Sequence, residues 1–93
     1  MGKVLMVKTQ NEMLRSIQLL NEMDSQLPTP IILNIKEFLE NQEWGLAYEM
    51  LCEQIYEFEL PISSELYENI LSIGESMEMN PTIWLKLKSL ISE

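Results

Sequence analysis

The chain has 93 residues, a net charge of −9 from 15 acidic and 6 basic residues, and a hydrophobic fraction of 46%. This length allows one domain, residues 1–93, and the hydrophobic fraction is high enough to fill its core without a metal ion or disulfide bonds. The acidic excess excludes DNA, RNA and anionic membranes as direct partners, because their phosphate groups would be repelled.

The N-terminal third predicts one helix after a short leading segment. For Met1–Lys8 the sequence leaves three conformations open: an extension of the first helix, a short strand, or a mobile end. The first helix is predicted from Thr9 to about Ser25, because Thr9 and Glu12 have the spacing of a capping box. It ends before Pro28, since a proline disfavours helical geometry in the preceding residue. Its apolar stripe consists of Met13, Ile17, Leu20 and Met23, with Leu14 and Leu27 beside it.

A second helix is predicted after this proline-rich turn, with Thr29 as its N-cap and Pro30 at its first position. Asn41 is predicted to cap the next helix, with Glu43 near that helix's positive end. The two helices are then joined by a very tight turn, and the alternative is one kinked helix across Asn41–Gly45. The inward-facing residues of the second helix are Ile31, Ile32, Ile35, Phe38 and Leu39.

The central helix, predicted over Glu43–Glu59, is the element around which the other helices are expected to pack. Its apolar residues recur at the spacing of a helix buried along one side, and they are Trp44, Ala47, Tyr48, Leu51, Cys52, Ile55 and Phe58. Among the aromatic residues, Tyr56 is expected to expose its hydroxyl. The opposite side carries three acids at i, i+4 and i+8 with two apolar residues beside them: Glu49, Glu53, Glu57, Leu46 and Met50. Like charges at this spacing repel by about 0.2–0.5 kcal/mol per pair.

The fourth helix must begin after Pro61, with Ser63 or Ser64 as its cap. Its buried stripe includes Gly74, which costs about 1 kcal/mol relative to alanine inside a helix. We therefore expect another helix to approach closely at Gly74. The full stripe is Leu66, Tyr67, Ile70, Ile73, Gly74 and Met77.

The last helix is predicted to open at Asn80–Pro81, the same combination of a capping residue and a proline. Its stripe is Ile83, Trp84, Leu87 and Ile91, with Leu90 flanking it and Trp84 expected in the core. No long segment alternates with a period of two. The sequence therefore predicts an all-α fold, a compact bundle of four to five short antiparallel helices around the central helix.

The residues for most enzyme chemistry are missing. The chain contains no histidine, and its single cysteine, Cys52, is expected to be a buried apolar residue in a reducing compartment. Glu37, Glu40 and Glu43 have neighbouring positions on a helix, but dinuclear carboxylate sites in bundles also recruit histidines. A serine–lysine pair near Ser89 lacks a nucleophile turn. We predict no enzyme activity, no metal and no cofactor.

The sequence has no secretory signal and no apolar run of the roughly 20 residues needed to cross a bilayer, so a cytoplasmic protein is expected. Eleven acids and no lysine or arginine lie between Glu37 and Glu78. This span is either a solvated surface that keeps the protein soluble or a surface that meets a basic partner.

A stretch of the chain resembles small helical immunity proteins of bacterial toxin systems, the MafI-type family and its counterparts in contact-dependent growth inhibition. The residues that carry the resemblance are Glu43–Ile55, Leu60–Ser63, Gly74 and Trp84. The resemblance implies a protein that binds and neutralises the toxin domain of its own system, often an RNase or tRNase that acts in the cytosol. An acidic protein suits this role, because a nuclease needs a basic cleft for phosphate.

Two other functions remain open from the sequence: an acidic adaptor or regulatory subunit for a basic protein, and a structural homodimer formed through the central helix. The charge pattern, and not the resemblance, gives the candidate partner-binding residues. They are Glu49, Glu53, Glu57, Leu46 and Met50 on the central helix, and Glu65, Glu68 and Glu75 on the fourth.

Overall fold

The computed structural model describes residue 11 and residues 13–19 and 27–92, and within them the chain forms five helices and no strand. The all-α prediction is confirmed. The predicted capping box of Thr9 and Glu12, the end of the first helix and residues 1–8 lie outside the described residues. The elements are α1 (residues 13–19), α2 (Thr29–Glu40), α3 (Trp44–Glu57), α4 (Ser64–Ser76) and α5 (Thr82–Leu85), which continues as a 3-10 helix over Lys86–Leu90.

All five helices contribute side chains to one apolar core. The α3 helix contacts α2, α5 and the 3-10 helix, and Tyr48 bonds it to α4, so its central role is confirmed. The predicted stripes are confirmed at these buried positions: Met13 and Ile17; Ile35 and Leu39; Ala47, Tyr48, Leu51, Cys52 and Ile55; Leu66, Tyr67, Ile70, Ile73 and Gly74; Trp84 and Leu87.

Phe58 was predicted on the buried stripe of α3, and this is wrong. It follows the last helical residue and is 51% exposed. Because the helix ends at Glu57, the 3.6-residue period no longer sets the direction of the next side chain. The chain turns at Phe58 and the aromatic ring stays in solvent.

Two of the predicted N-caps are also wrong. The carbonyl of Pro28 accepts the first helical hydrogen bond, from the Ile31 N–H at 3.0 Å, so Thr29 is already in the helix and makes no capping bond. Asn41 instead ends α2, because its N–H donates to the Glu37 carbonyl at 3.0 Å. That bond keeps Asn41 in the last turn of α2, and Glu43, not Asn41, precedes α3.

The two later caps are confirmed. Ser63 precedes α4, and its hydroxyl accepts a hydrogen bond from the Leu66 N–H at 3.0 Å. The side-chain oxygen of Asn80 accepts one from the Thr82 N–H at 3.0 Å, at the start of α5. Both bonds satisfy donors that a first helical turn leaves free.

Helices α2, α3 and α4 all end in the same backbone turn, in which a left-handed residue reverses the chain. These residues are Gln42, Glu59 and Glu78, with φ of 61°, 49° and 55°. At each turn two N–H groups donate back to carbonyls of the last helical turn, the arrangement of a Schellman motif. The turn at Gln42 confirms that α2 and α3 are separate helices with a tight connection, and the single kinked helix is wrong.

The C-terminal segment is tied to the loop between α3 and α4 by two backbone hydrogen bonds. The Ile62 N–H donates to the Leu90 carbonyl at 3.0 Å, and the Ser92 N–H donates to the Ile62 carbonyl at 2.8 Å. This pairing is one isolated parallel bridge between Ile62 and Ile91. It holds the 3-10 helix against the end of α3.

The close approach of another helix predicted at Gly74 is confirmed, and side chains of both α3 and α5 reach it. A Cβ atom at this position would overlap the indole ring of Trp84 and the hydroxyl of Tyr48. The Tyr48 hydroxyl donates to the Ile70 carbonyl at 2.7 Å, and the Tyr48 and Trp84 rings pack edge to face with centroids 6.5 Å apart. The absence of a side chain at Gly74 therefore fixes how α4 packs against α3 and α5.

Candidate protein-binding face

One side of α3 carries the acids that the sequence placed opposite the core. Glu49, Glu53 and Glu57 are exposed, Leu46 is 49% exposed and Met50 is half-buried. We call these five residues the outer face of α3. Their spacing is confirmed, because the helix continues without a break from Trp44 to Glu57.

A groove with a volume of about 330 Å³ lies between the outer face and the last turns of α2. Its residues combine apolar side chains with carboxylates, and they are Phe38, Leu46, Glu49, Met50, Glu53 and Gln54. We call it the α2–α3 groove. It forms where the tight turn at Gln42 packs α2 against α3, and Phe38 of α2 lines it together with Met50 of α3. An apolar side chain of a partner fits its apolar residues, and a cationic side chain can pair with its carboxylates.

The acids of the outer face have no basic partner within the part of the chain that the structure describes. The ion pair found there is between Arg15 of α1 and Glu65 of α4, at 3.5 Å with both side chains well exposed. Glu68 and Glu75 are also exposed on α4. None of the three α4 acids lines the α2–α3 groove.

A second groove, with a volume of about 440 Å³, lies at the C-terminal end of α3. Tyr56, Glu57, Glu59, Ser89 and Leu90 line it, and we call it the Tyr56 groove. The amino group of Lys86 lies 4.8 Å from the centre of the Tyr56 ring. Sequence reasoning expected an exposed Tyr56 but missed the groove, because nothing local in the sequence indicates how the 3-10 helix packs on α3.

The buried polar groups of α3 are not reactive ones. Burial raises the pKa of the Cys52 thiol to about 12, although the neighbouring Tyr48 hydroxyl opposes this shift. Burial also raises the pKa of Tyr48 well above its usual value. At neutral pH both groups are therefore protonated, and a thiol that stays protonated is a poor nucleophile.

The described residues bring together no three Asp, Glu or Cys side chains that could hold a metal ion, the acids Glu37, Glu40 and Glu43 included. In residues 11, 13–19 and 27–92, no helix has the length and apolarity that crossing a bilayer requires.

No protein-family model matches the chain, and neither a curated protein nor a solved structure does. The resemblance to immunity proteins therefore stays a prediction. Two of the residues that carry it, Gly74 and Trp84, contact each other in the core, so packing alone accounts for them.

Proposed function

We propose that this protein is an immunity protein, which binds and neutralises a basic toxin domain through the outer face of α3. The α2–α3 groove carries the proposal, because it presents apolar side chains together with carboxylates that form no ion pair among the described residues. The partner is a nuclease of the RNase or tRNase class that acts in the cytosol after delivery by contact-dependent growth inhibition. The protein acts there by binding and is not an enzyme.

In this proposal the charged residues and the apolar residues contribute to different steps of binding. The carboxylates of the outer face attract a basic surface and accelerate its approach, an effect that salt screens. Leu46, Met50 and Phe38 give the partner apolar area to cover, which slows dissociation. A nuclease held in this way has its phosphate-binding residues occupied by acids.

The test requires the toxin domain encoded beside the gene for this protein. Association is measured at low and high salt for wild type and for the triple variant Glu49→Gln, Glu53→Gln and Glu57→Gln. At low salt the variant should associate at least about tenfold more slowly, since steering accounts for one or more decades of association rate. At high salt the two rates should converge.

The matched control removes the same charge from α4, in the triple variant Glu65→Gln, Glu68→Gln and Glu75→Gln. Its association rate should stay near that of wild type, because these acids belong to α4 and not to the outer face of α3. If the α4 variant is the slower one, the interface lies on α4 and the outer face is excluded. If no neighbouring toxin domain binds and the gene lies in a metabolic or transcriptional operon, the adaptor function replaces the immunity function.

A further inference from the structure

The Tyr56 groove contains an aromatic ring that already contacts a cation, the amino group of Lys86. The Tyr56 side chain is 46% exposed, and the amino group of Lys86 lies 4.8 Å from its ring centre. The groove also lies at the C-terminal end of α3, where the helix dipole favours positive charge. Two independent features, the ring and the helix end, therefore attract a cation to this place.

The groove also holds two carboxylates that no described basic side chain neutralises. Glu57 and Glu59 line it and form no ion pair within the described residues. Lys86 is itself exposed, and one cation–π contact at an exposed site is weak. A partner's cation that uses the ring and the carboxylates at once can displace it.

We propose that the Tyr56 groove binds an arginine side chain of a basic protein partner, and that Lys86 leaves the ring when it binds. A guanidinium group is planar, so it stacks on an aromatic ring and pairs with carboxylates through its edge at the same time. An ammonium group lacks that geometry, so a partner's lysine gains less from exchanging with Lys86. The groove therefore selects arginine over lysine.

The position of Glu57 links this groove to the proposed function, on which the inference rests for the nature of the partner. Glu57 belongs to the outer face of α3 and also lines the Tyr56 groove. A basic protein bound to the outer face can therefore also contact the Tyr56 groove, because the two surfaces share Glu57. The groove itself uses residues outside the α2–α3 groove, and small probes can test it without the partner.

The experiment titrates the 93-residue chain, labelled with 15N and 13C, with N-acetyl-arginine amide and follows the Tyr56 ring and the Ser89 amide by NMR. N-acetyl-lysine amide tests the preference for guanidinium, and N-acetyl-citrulline amide, which has a similar shape without the charge, tests the need for a cation. We expect saturable shifts with the arginine probe, binding of the lysine probe that is weaker by at least about threefold, and no saturable shift with citrulline.

Two variants isolate the role of Lys86. Lys86→Met should tighten arginine binding by roughly two- to five-fold, the factor that matches the loss of one exposed cation–π contact. Lys88→Met removes the same charge from the same 3-10 helix, and Lys88 is not stacked on the ring. It should change binding by less than about 1.5-fold, because exposed charges at a distance are screened. Tyr56→Leu should abolish the arginine preference while far-UV circular dichroism stays unchanged.

Equal binding of arginine and lysine probes, or equal effects of the Lys86 and Lys88 variants, would overturn the inference. So would shifts spread over Glu65, Glu68 and Glu75 to the same degree as at Tyr56, which indicate binding to any acidic surface. These results leave the proposed function intact, since its test uses the toxin domain and the outer-face variants. Conversely, the arginine titration can succeed even if that toxin domain does not bind.

Discussion

The two sides of α3 affect the stability of the fold in opposite directions. The inner side buries Tyr48, Leu51 and Ile55 among side chains from the other helices. The outer face repeats an acid every four residues, with Leu46 exposed beside them, and repulsion between these acids weakens the helix. The inner side thus stabilises the fold, whereas the three acids of the outer face are exposed and form no ion pair within the described residues, and this difference favours a role for these acids in binding.

The largest expected effect comes from truncating a leucine on the inner side. Leu51→Ala should lower the free energy of unfolding by about 2–5 kcal/mol, because Leu51 is 1% exposed and the cavity left behind is enclosed by other helices. The matched control is Leu46→Ala on the outer face. This variant should change the free energy of unfolding by less than about 0.5 kcal/mol. Chemical denaturation measures both, and similar midpoints for the two variants would mean that the sides are not distinct.

The second expected effect is a loss of stability at alkaline pH, which Cys52 on the inner side of α3 causes. The unfolded chain releases the Cys52 proton near pH 9.0, whereas the folded protein holds it to about pH 12. Above pH 9 the unfolded state therefore binds fewer protons than the folded state, and stability falls as pH rises, by about 1 kcal/mol per pH unit.

In the window from pH 9 to 10 Cys52 gives the largest part of the slope, because the unfolded tyrosines at positions 48 and 67, whose pKa values folding also raises, are mostly still protonated below 10.0. Cys52→Ala should remove most of the slope in this window, whatever it does to stability at neutral pH. Denaturation at closely spaced pH values gives the slopes. A slope equal in both proteins would assign the alkaline loss to other groups.

The third effect concerns the contact at Gly74. Gly74→Ala adds a methyl group that overlaps Trp84 and Tyr48, so it should destabilise by about 1–3 kcal/mol even though alanine is the better helix former. Gly45→Ala is the control, because a Cβ there meets only the end of Met79 at 3.9 Å. It should stabilise the protein slightly, and a stabilising effect at both glycines would contradict the packing described at Gly74.

The fourth effect reverses sign between a position inside α3 and one just beyond its last residue, Glu57. Glu59 has a left-handed backbone, which costs an L-residue about 1–2 kcal/mol. Glu59→Gly removes this cost, but glycine also gives the unfolded chain more entropy, which offsets part of the gain. The net effect should be a stabilisation of about 0.5–1 kcal/mol. Glu53→Gly, inside α3, should destabilise by about 1 kcal/mol. Thermal denaturation compares them, and destabilisation by both would show that the turn does not need glycine's freedom.

The sequence predicted the inner side of α3 well because burial repeats with the helix period over several turns. It failed at Phe58, where that period ends, and at Thr29 and Asn41, where the helix boundaries differ by one or two residues from those that the caps indicated. It also gave no sign of the left-handed turns at Gln42 and Glu59, since neither position carries the glycine or asparagine that usually marks them.

The candidate face was predictable only in part. The alignment of Glu49 and Glu53 follows from their spacing, but the groove beside them requires Phe38, which α2 supplies through tertiary packing. The same holds for the Tyr56 groove, to which the 3-10 helix contributes Ser89 and Leu90. Spacing along one helix identifies a face, whereas the shape of that face depends on the elements packed next to it.

The smallest expected effect lies on the outer face itself. Glu53 is the middle acid of three and has a like charge four residues away on either side, so Glu53→Gln removes two repulsive pairs and should stabilise by a few tenths of a kcal/mol. The gain should fade at high salt, because exposed charges are screened. Glu75→Gln is the control, since its neighbours at three and four residues within α4 are Leu71 and Ser72, and it should change stability less and without dependence on salt. Differential scanning calorimetry at low and high salt measures both. If Glu53→Gln destabilises the protein, the outer face contributes to folding and the contrast between the two sides of α3 fails; if it stabilises the protein and slows toxin association, the acid at position 53 is better explained by binding than by folding.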